Sequence, residues 1–147
     1  MKPNRIREIW AEGGCALNAF LSMPCPFAAE IMAAQGYDAL TVDIQHGVVD
    51  YQTTVGMFQA MLGHPVAPLA RVEWLDPAAV MKLLDAGAYG VVCPMVNTAE
   101  DAARLVSYTR YPPHGVRSFG PGRAVFSAGS DYADKAEDEI VVFAMIE

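Results

Sequence analysis

Short runs rich in Val, Leu and Ala alternate along the chain with longer amphipathic, Ala-rich stretches, and this alternation restricts the fold to repeated βα units around a parallel sheet. The pattern predicts a leading helix near 4–12, strands near 15–21, 39–44, 66–72, 90–95 and 140–146, and helices near 26–36, 51–63, 77–87 and 98–109. Local chemistry sharpens several boundaries. Asp76-Pro77 places a capping side chain before a proline at the first helical position, and Gly36 and Gly87 stand where helices should stop. The stretch from Arg110 to Ser130 interrupts the rhythm, because its Gly and Pro content suits neither helix nor strand; a connection this long is expected to be functional or flexible. A short polar helix near 130–138 should lead into the last strand.

Composition narrows the class. With 53% hydrophobic and 18% charged residues the chain is globular, and 147 residues suffice for one domain. A net charge of −7 with ten scattered Lys and Arg excludes the clustered cations that a nucleic-acid partner requires. Cys15, Cys25 and Cys93 are odd in number and lie in no CxxC or Cys/His pattern, so a disulfide framework and a zinc site are both unsupported. The N-terminus has no apolar signal region, and no run approaches 18 apolar residues; a cytoplasmic protein without a membrane span is expected.

In parallel α/β proteins the loops after the strands open on one face, so reactive side chains gather at strand C-termini. Here those ends carry Asp43-Ile44-Gln45-His46-Gly47, Arg71, Cys93-Pro94-Met95-Val96-Asn97 and Glu147. A base, a fixed cation and carboxylates thus fall on one rim, a set suited to enolising a carbonyl compound and holding the enolate charge. Each also has a plain reading: His46 as a surface histidine, Asp43 as a turn cap, Arg71 as a structural ion-pair partner and Glu147 as a frayed strand end. A chain that stops on a strand-end carboxylate reads as roughly the first half of a larger enzyme.

Several segments together resemble a known family: Gly36-Tyr37-Asp38 through Asp43-Ile44-Gln45-His46-Gly47, Leu69-Ala70-Arg71-Val72, Asp76-Pro77, Leu83-Leu84-Asp85-Ala86-Gly87-Ala88, Pro94-Met95-Val96, Arg110-Tyr111-Pro112-Pro113-His114-Gly115-Val116-Arg117 and Met145-Ile146-Glu147. In order and spacing they are similar to the HpcH/HpaI aldolases. The resemblance implies a (β/α)₈ TIM barrel, of which residues 1–147 supply about the first five strands as the N-terminal portion of a single domain. It implies a metal-dependent, class II aldolase that joins pyruvate or another 2-keto acid to an aldehyde through an enolate, and a role in aromatic compound catabolism. Glu147 would be one carboxylate ligand of Mg²⁺, Mn²⁺ or Co²⁺. Arg71 would bind the keto oxygen, His46 would act as acid and base, and Asp43 would orient it. A homo-oligomer, a hexamer by resemblance, is also implied.

Three positions depart from the family pattern. Gln45, a substrate-binding candidate, stands where many members carry Glu; Met145 stands where Gln is frequent; and Ser118 replaces the Gly that often follows Arg117. A citrate-lyase-like or decarboxylase-like enzyme of the same superfamily is the alternative activity, since the enolate is shared. An open, flavodoxin-like parallel sheet or a non-catalytic barrel fragment is the alternative architecture.

Overall fold

The computed structural model describes residues 1–147 and contains five strands and seven helices. In chain order these are α1 (Arg5–Ala11), β1 (Asn18–Leu21), α2 (Pro26–Ala33), β2 (Ala39–Asp43), α3 (Tyr51–Met61), β3 (Ala67–Arg71), α4 (Pro77–Asp85), β4 (Gly90–Cys93), α5 (Ala99–Thr109), α6 (Ala124–Ala128), α7 (Tyr132–Glu139) and β5 (Val141–Ala144). All strands are parallel and lie in the order β1-β2-β3-β4-β5. That order decides between the two expected architectures. A doubly wound sheet reverses direction at a switch point, whereas here every crossover between parallel strands steps the same way along the sheet. The sheet is therefore an arc of TIM-barrel wall, open between β1 and β5.

Caps set the helix starts. Asp76 accepts from the Ala78 N–H at 2.8 Å ahead of Pro77, Asp50 accepts from Thr53, and Thr98 accepts from Asp101. Gly36 and Gly87 adopt φ of +87° and +104° just past α2 and α4, as the sequence predicts. The strands are shorter than predicted. β1 starts at Asn18, the first residue in register with β2, and β4 stops at Cys93 because Pro94 has no N–H and Met95 turns out of the strand at φ +57°.

Residues of β2 and β4 are buried throughout, and 33 buried side chains form one apolar core. The concave face of the arc opens into a cavity of about 290 Å³, lined among others by Ile6, Trp10, Phe20, Leu69, Val92 and Phe143.

The Gly- and Pro-rich connection is built around a buried arginine. Arg117, 1% exposed, donates from Nη2 to Asp85 at 2.8 Å and to the Tyr132 hydroxyl at 3.0 Å, and its guanidinium lies 4.6 Å from the Tyr111 ring and 5.3 Å from that of Tyr132. Burial pushes the Tyr111 hydroxyl up to about 12. The main chain closes over this side chain, with Arg117 N–H donating to the Arg110 carbonyl at 2.9 Å. The segment also contains α6, which the sequence reading missed. Its five residues lie between Gly122 and Gly129, too short a span for helical periodicity to register.

Candidate active site

Register explains why Asp43 and Arg71 meet. Asp43 closes β2, Arg71 closes β3, and the two are direct cross-strand partners, so their side chains leave the sheet on the same face. The carboxylate takes a two-point grip. Arg71 Nε donates to Oδ1 at 2.9 Å and Nη2 to Oδ2 at 2.7 Å, the fork geometry that fixes a guanidinium in orientation as well as position. Phe20 of β1 supports it from the side, its ring centroid 5.1 Å from the Arg71 Cζ. The Arg71 hydrogen bonds hold the Asp43 carboxyl below its usual range, against the opposing effect of burial. Arg71 is raised in turn, first by its bond to Asp43 and also by the charge of Glu147. With Nε and one Nη2 hydrogen engaged, Nη1 and the second Nη2 hydrogen have no hydrogen-bond partner in the chain.

Asp43 also accepts from the main-chain N–H of His46 at 3.2 Å. The carboxylate therefore orders the turn that carries His46 through its backbone, whereas the expected role was to orient the imidazole; the ring itself is exposed and makes no hydrogen bond within the chain. Gly47 completes this turn. A Cβ there would collide with the Asp43 carbonyl oxygen and press on Ser22, whose own carbonyl accepts from Val48 N–H at 3.1 Å. Beside it, Gln45 keeps its Oε1 shielded from solvent without a hydrogen-bond partner, which makes it an acceptor held ready at the rim.

Glu147 arrives from the far side of the arc. Its Oε2 accepts from Met95 N–H at 3.2 Å, and its own N–H donates to Asn97 Oδ1 at 2.8 Å. Met95 is the non-glycine residue with positive φ, and that left-handed turn aims its N–H at the carboxylate. Met95 and Asn97 lie in the strand-end segment that the sequence places on the rim, but that they would hold Glu147 had no sequence signal. Trp74 is 57% exposed on the loop after β3.

The donor set can be tested against the divalent cation that the resemblance implies. No three His, Cys, Asp or Glu side chains converge, Asp43 is committed to Arg71, and Glu147 is a lone carboxylate. A hard cation seeks six or more oxygens. Residues 1–147 offer one corner of such a site and do not fit it as a whole.

Residues 17–147 match the family profile described as HpcH/HpaI aldolase/citrate lyase, which is most of the chain. The chain belongs to this family. A hydroxypyruvate/pyruvate aldolase of Rhizorhabdus wittichii is 42% identical over 144 residues, which cover 98% of this chain and 57% of that protein. A 4-hydroxy-2-oxo-heptane-1,7-dioate aldolase of Shigella flexneri is 33% identical over 98% of this chain and 55% of its own length. Among solved structures, an HpcH/HpaI aldolase from Desulfitobacterium hafniense superposes with a TM-score of 0.86 at 28% identity, covering 97% of this chain and 56% of the other. The citrate synthase SbnG superposes with a TM-score of 0.84 at 30% identity, over 97% and 55%. The chain thus spans about half the length of the relatives it matches. HpcH/HpaI relatives that share the arc share its winding, which agrees with the TIM-barrel reading of the strand order.

Proposed function

We propose that this chain carries the keto-acid half of a carbon–carbon lyase site of the pyruvate aldolase type. The observation that carries the reading is the bidentate Asp43–Arg71 pair, a guanidinium locked in place with one edge left open on the rim that also holds His46 and Glu147. That edge suits the keto oxygen of a bound 2-oxo acid. Its positive charge is fixed beforehand, so charge that builds on the oxygen as a methyl proton leaves is met without reorganisation. His46, exposed on the ordered turn, is the acid and base that takes the methyl proton and returns one during cleavage. Gln45 Oε1 would accept a hydrogen bond from a substrate hydroxyl. Pyruvate or another 2-keto acid and an aldehyde are the proposed substrates, and both relatives' names, hydroxypyruvate/pyruvate aldolase and 4-hydroxy-2-oxo-heptane-1,7-dioate aldolase, support that class.

In this proposal Glu147 is one carboxylate ligand of a divalent cation, Mg²⁺, Mn²⁺ or Co²⁺, which when bound polarises the keto oxygen. A homo-oligomer is proposed on the family resemblance. The similarity to the citrate synthase SbnG supports a second reading, a citrate-lyase-like enzyme that presents a keto acid to an acetyl-type enolate at the same arginine.

Calorimetric titration with pyruvate, and with oxalate as a planar mimic of its enolate, tests the proposal. Binding that weakens at least tenfold in Arg71→Ala is expected, and oxalate binding unchanged by that substitution would overturn it. A chain that takes citrate and ignores pyruvate would select the second reading.

A further inference from the structure

At the opposite end of the strands from Arg71 a second cavity, of about 220 Å³ and partly open to solvent, is lined by residues between Lys2 and Ser127. Its floor is apolar, made by Phe58, Met61, Val66 and Ala67 near the end of α3 and the start of β3. Its walls gather Lys2, Arg5, His64 and Arg123, against Glu8 as the lining carboxylate. For a chain with only ten Lys and Arg and a net charge of −7, three of those ten in one cavity is a concentration that composition does not explain. The charges are also unspent. Lys2, His64 and Arg123 form no ion pair, and Arg5 reaches Asp38 only at 3.4 Å from an exposed position.

Arg123 is the most informative of the four. Its Nη1 donates to the Ala86 carbonyl and so finishes the C-terminus of α4, a structural task that accounts for one end of the guanidinium. Gly87 makes room for it: a Cβ there would stand 2.6 Å from Nη1. The other end is unaccounted for. Nη2 is sealed from solvent without a hydrogen-bond partner, and desolvation accordingly lowers the guanidinium's pKa with no carboxylate to offset it. A buried donor with positive charge and no acceptor is costly, and native structures supply the acceptor.

We infer that this cavity is a binding site for a small organic anion, a phosphate group on a compact apolar body. The anionic group would sit between the Arg123 guanidinium and the Lys2 ammonium, and the body would rest on Phe58 and Met61. The volume equals about seven water molecules at about 30 Å³ each, enough for a phosphate monoester of a small ring or branched chain. β3 separates the cavity from Arg71 by four residue steps, about 13 Å at strand rise, so an occupant would not touch the keto-acid rim. The site is independent of the function proposed above.

Titration of the 147-residue chain with inorganic phosphate and with phenyl phosphate, followed by backbone amide NMR shifts, tests the inference. Expected are saturable shifts at Gly87, Ser127 and Ala67, with phenyl phosphate at least fivefold tighter than inorganic phosphate and both weakened by salt. Lys2→Gln, whose side chain forms no hydrogen bond or ion pair in the structure, should weaken phenyl phosphate at least threefold at unchanged thermal stability, and Arg123→Met at least tenfold. Pyruvate should not compete. Shifts that do not saturate, that spread over the surface, or that persist unchanged in Lys2→Gln and Arg123→Met would overturn it, as would competition by pyruvate.

Discussion

Two of the arginines paired with aspartates, Arg71 and Arg117, are used in opposite ways. Arg71 and Asp43 meet at adjoining strand ends, with a guanidinium edge left open on the rim. Arg117 and Asp85 meet under the long connection, where the guanidinium is shut in by Tyr111 and Tyr132 and the arginine is 1% exposed. Both are aspartate–guanidinium pairs, two-pronged at Arg71 and through a single bond at Arg117. Access separates them further, and access follows from what each arginine is anchored on. A strand end aims Arg71 at the mouth of the arc, while a loop folded over its own side chain turns Arg117 into core. A paired arginine therefore signals a site only when part of its hydrogen-bonding capacity is left over on an open face.

If that contrast is right, function and stability should come apart when the two regions are altered. The largest effect is expected at His46, which stands beside the open pair. In any form of the protein that exchanges the methyl protons of pyruvate with deuterated water, His46→Ala should slow exchange about 10²–10⁴-fold and leave the melting temperature unchanged, because the ring is exposed and unbonded. A slowing of less than about threefold would remove His46 from the chemistry.

Next in size is the closed pair. Arg117→Ala removes a charge-assisted bond to Asp85, a bond to Tyr132 and two ring contacts from a buried place. Breaking such a pair typically costs about 3–5 kcal/mol, which for a chain of this size lowers the midpoint of thermal unfolding by roughly 6–20 °C. The same measurement on Arg71→Ala should show a fall of less than half that. Equal falls would mean that both pairs are structural, and the distinction would fail.

A smaller effect sharpens the comparison at the open pair. Arg71→Lys keeps the charge and gives up the two-point grip on Asp43, so the cation is present and no longer aimed. Oxalate affinity should drop about tenfold, or about 1.4 kcal/mol, with little change in stability. Retention of full affinity would show that charge alone matters there, and that the Asp43 grip has no role in binding.

The contrast also marks what could be read from the sequence. The alternation of strands and helices, the Asp76-Pro77 cap and the glycines after α2 and α4 were legible because each is a local rule with a local cause. The rim residues were legible because a parallel sheet collects its strand ends. What Asp43 does was not, since its partner lies 28 residues away and only the β2–β3 register brings them together. Arg117 was read as part of a motif and its loop as flexible or functional, because Gly and Pro announce a missing element and say nothing of a tyrosine 15 residues on that fills the gap. Met95 lay in the rim segment read from the sequence, but its part in the site was hidden for a similar reason. A left-handed methionine has no signature in composition, yet it directs the N–H that meets Glu147.

The smallest expected effect is on acid stability. Asp43 is held below the usual carboxylate range by Arg71, so its folded pKa is lower than its unfolded value, near 3.9. The stabilisation from the pair is therefore complete above about pH 4–5 and is lost as pH falls through the lowered folded value. Chemical unfolding followed between pH 6 and pH 2.5 should lose stability in the wild type over this acid range, and Asp43→Asn should flatten part of that fall. The flattening should be partial, because other carboxylates such as Asp131, lowered first by its bond to the N-terminal amine, titrate in the same direction. An Asp43→Asn curve parallel to wild type throughout would mean that the open pair contributes nothing to folding, leaving binding as its whole purpose and making the division between the two arginines sharper still.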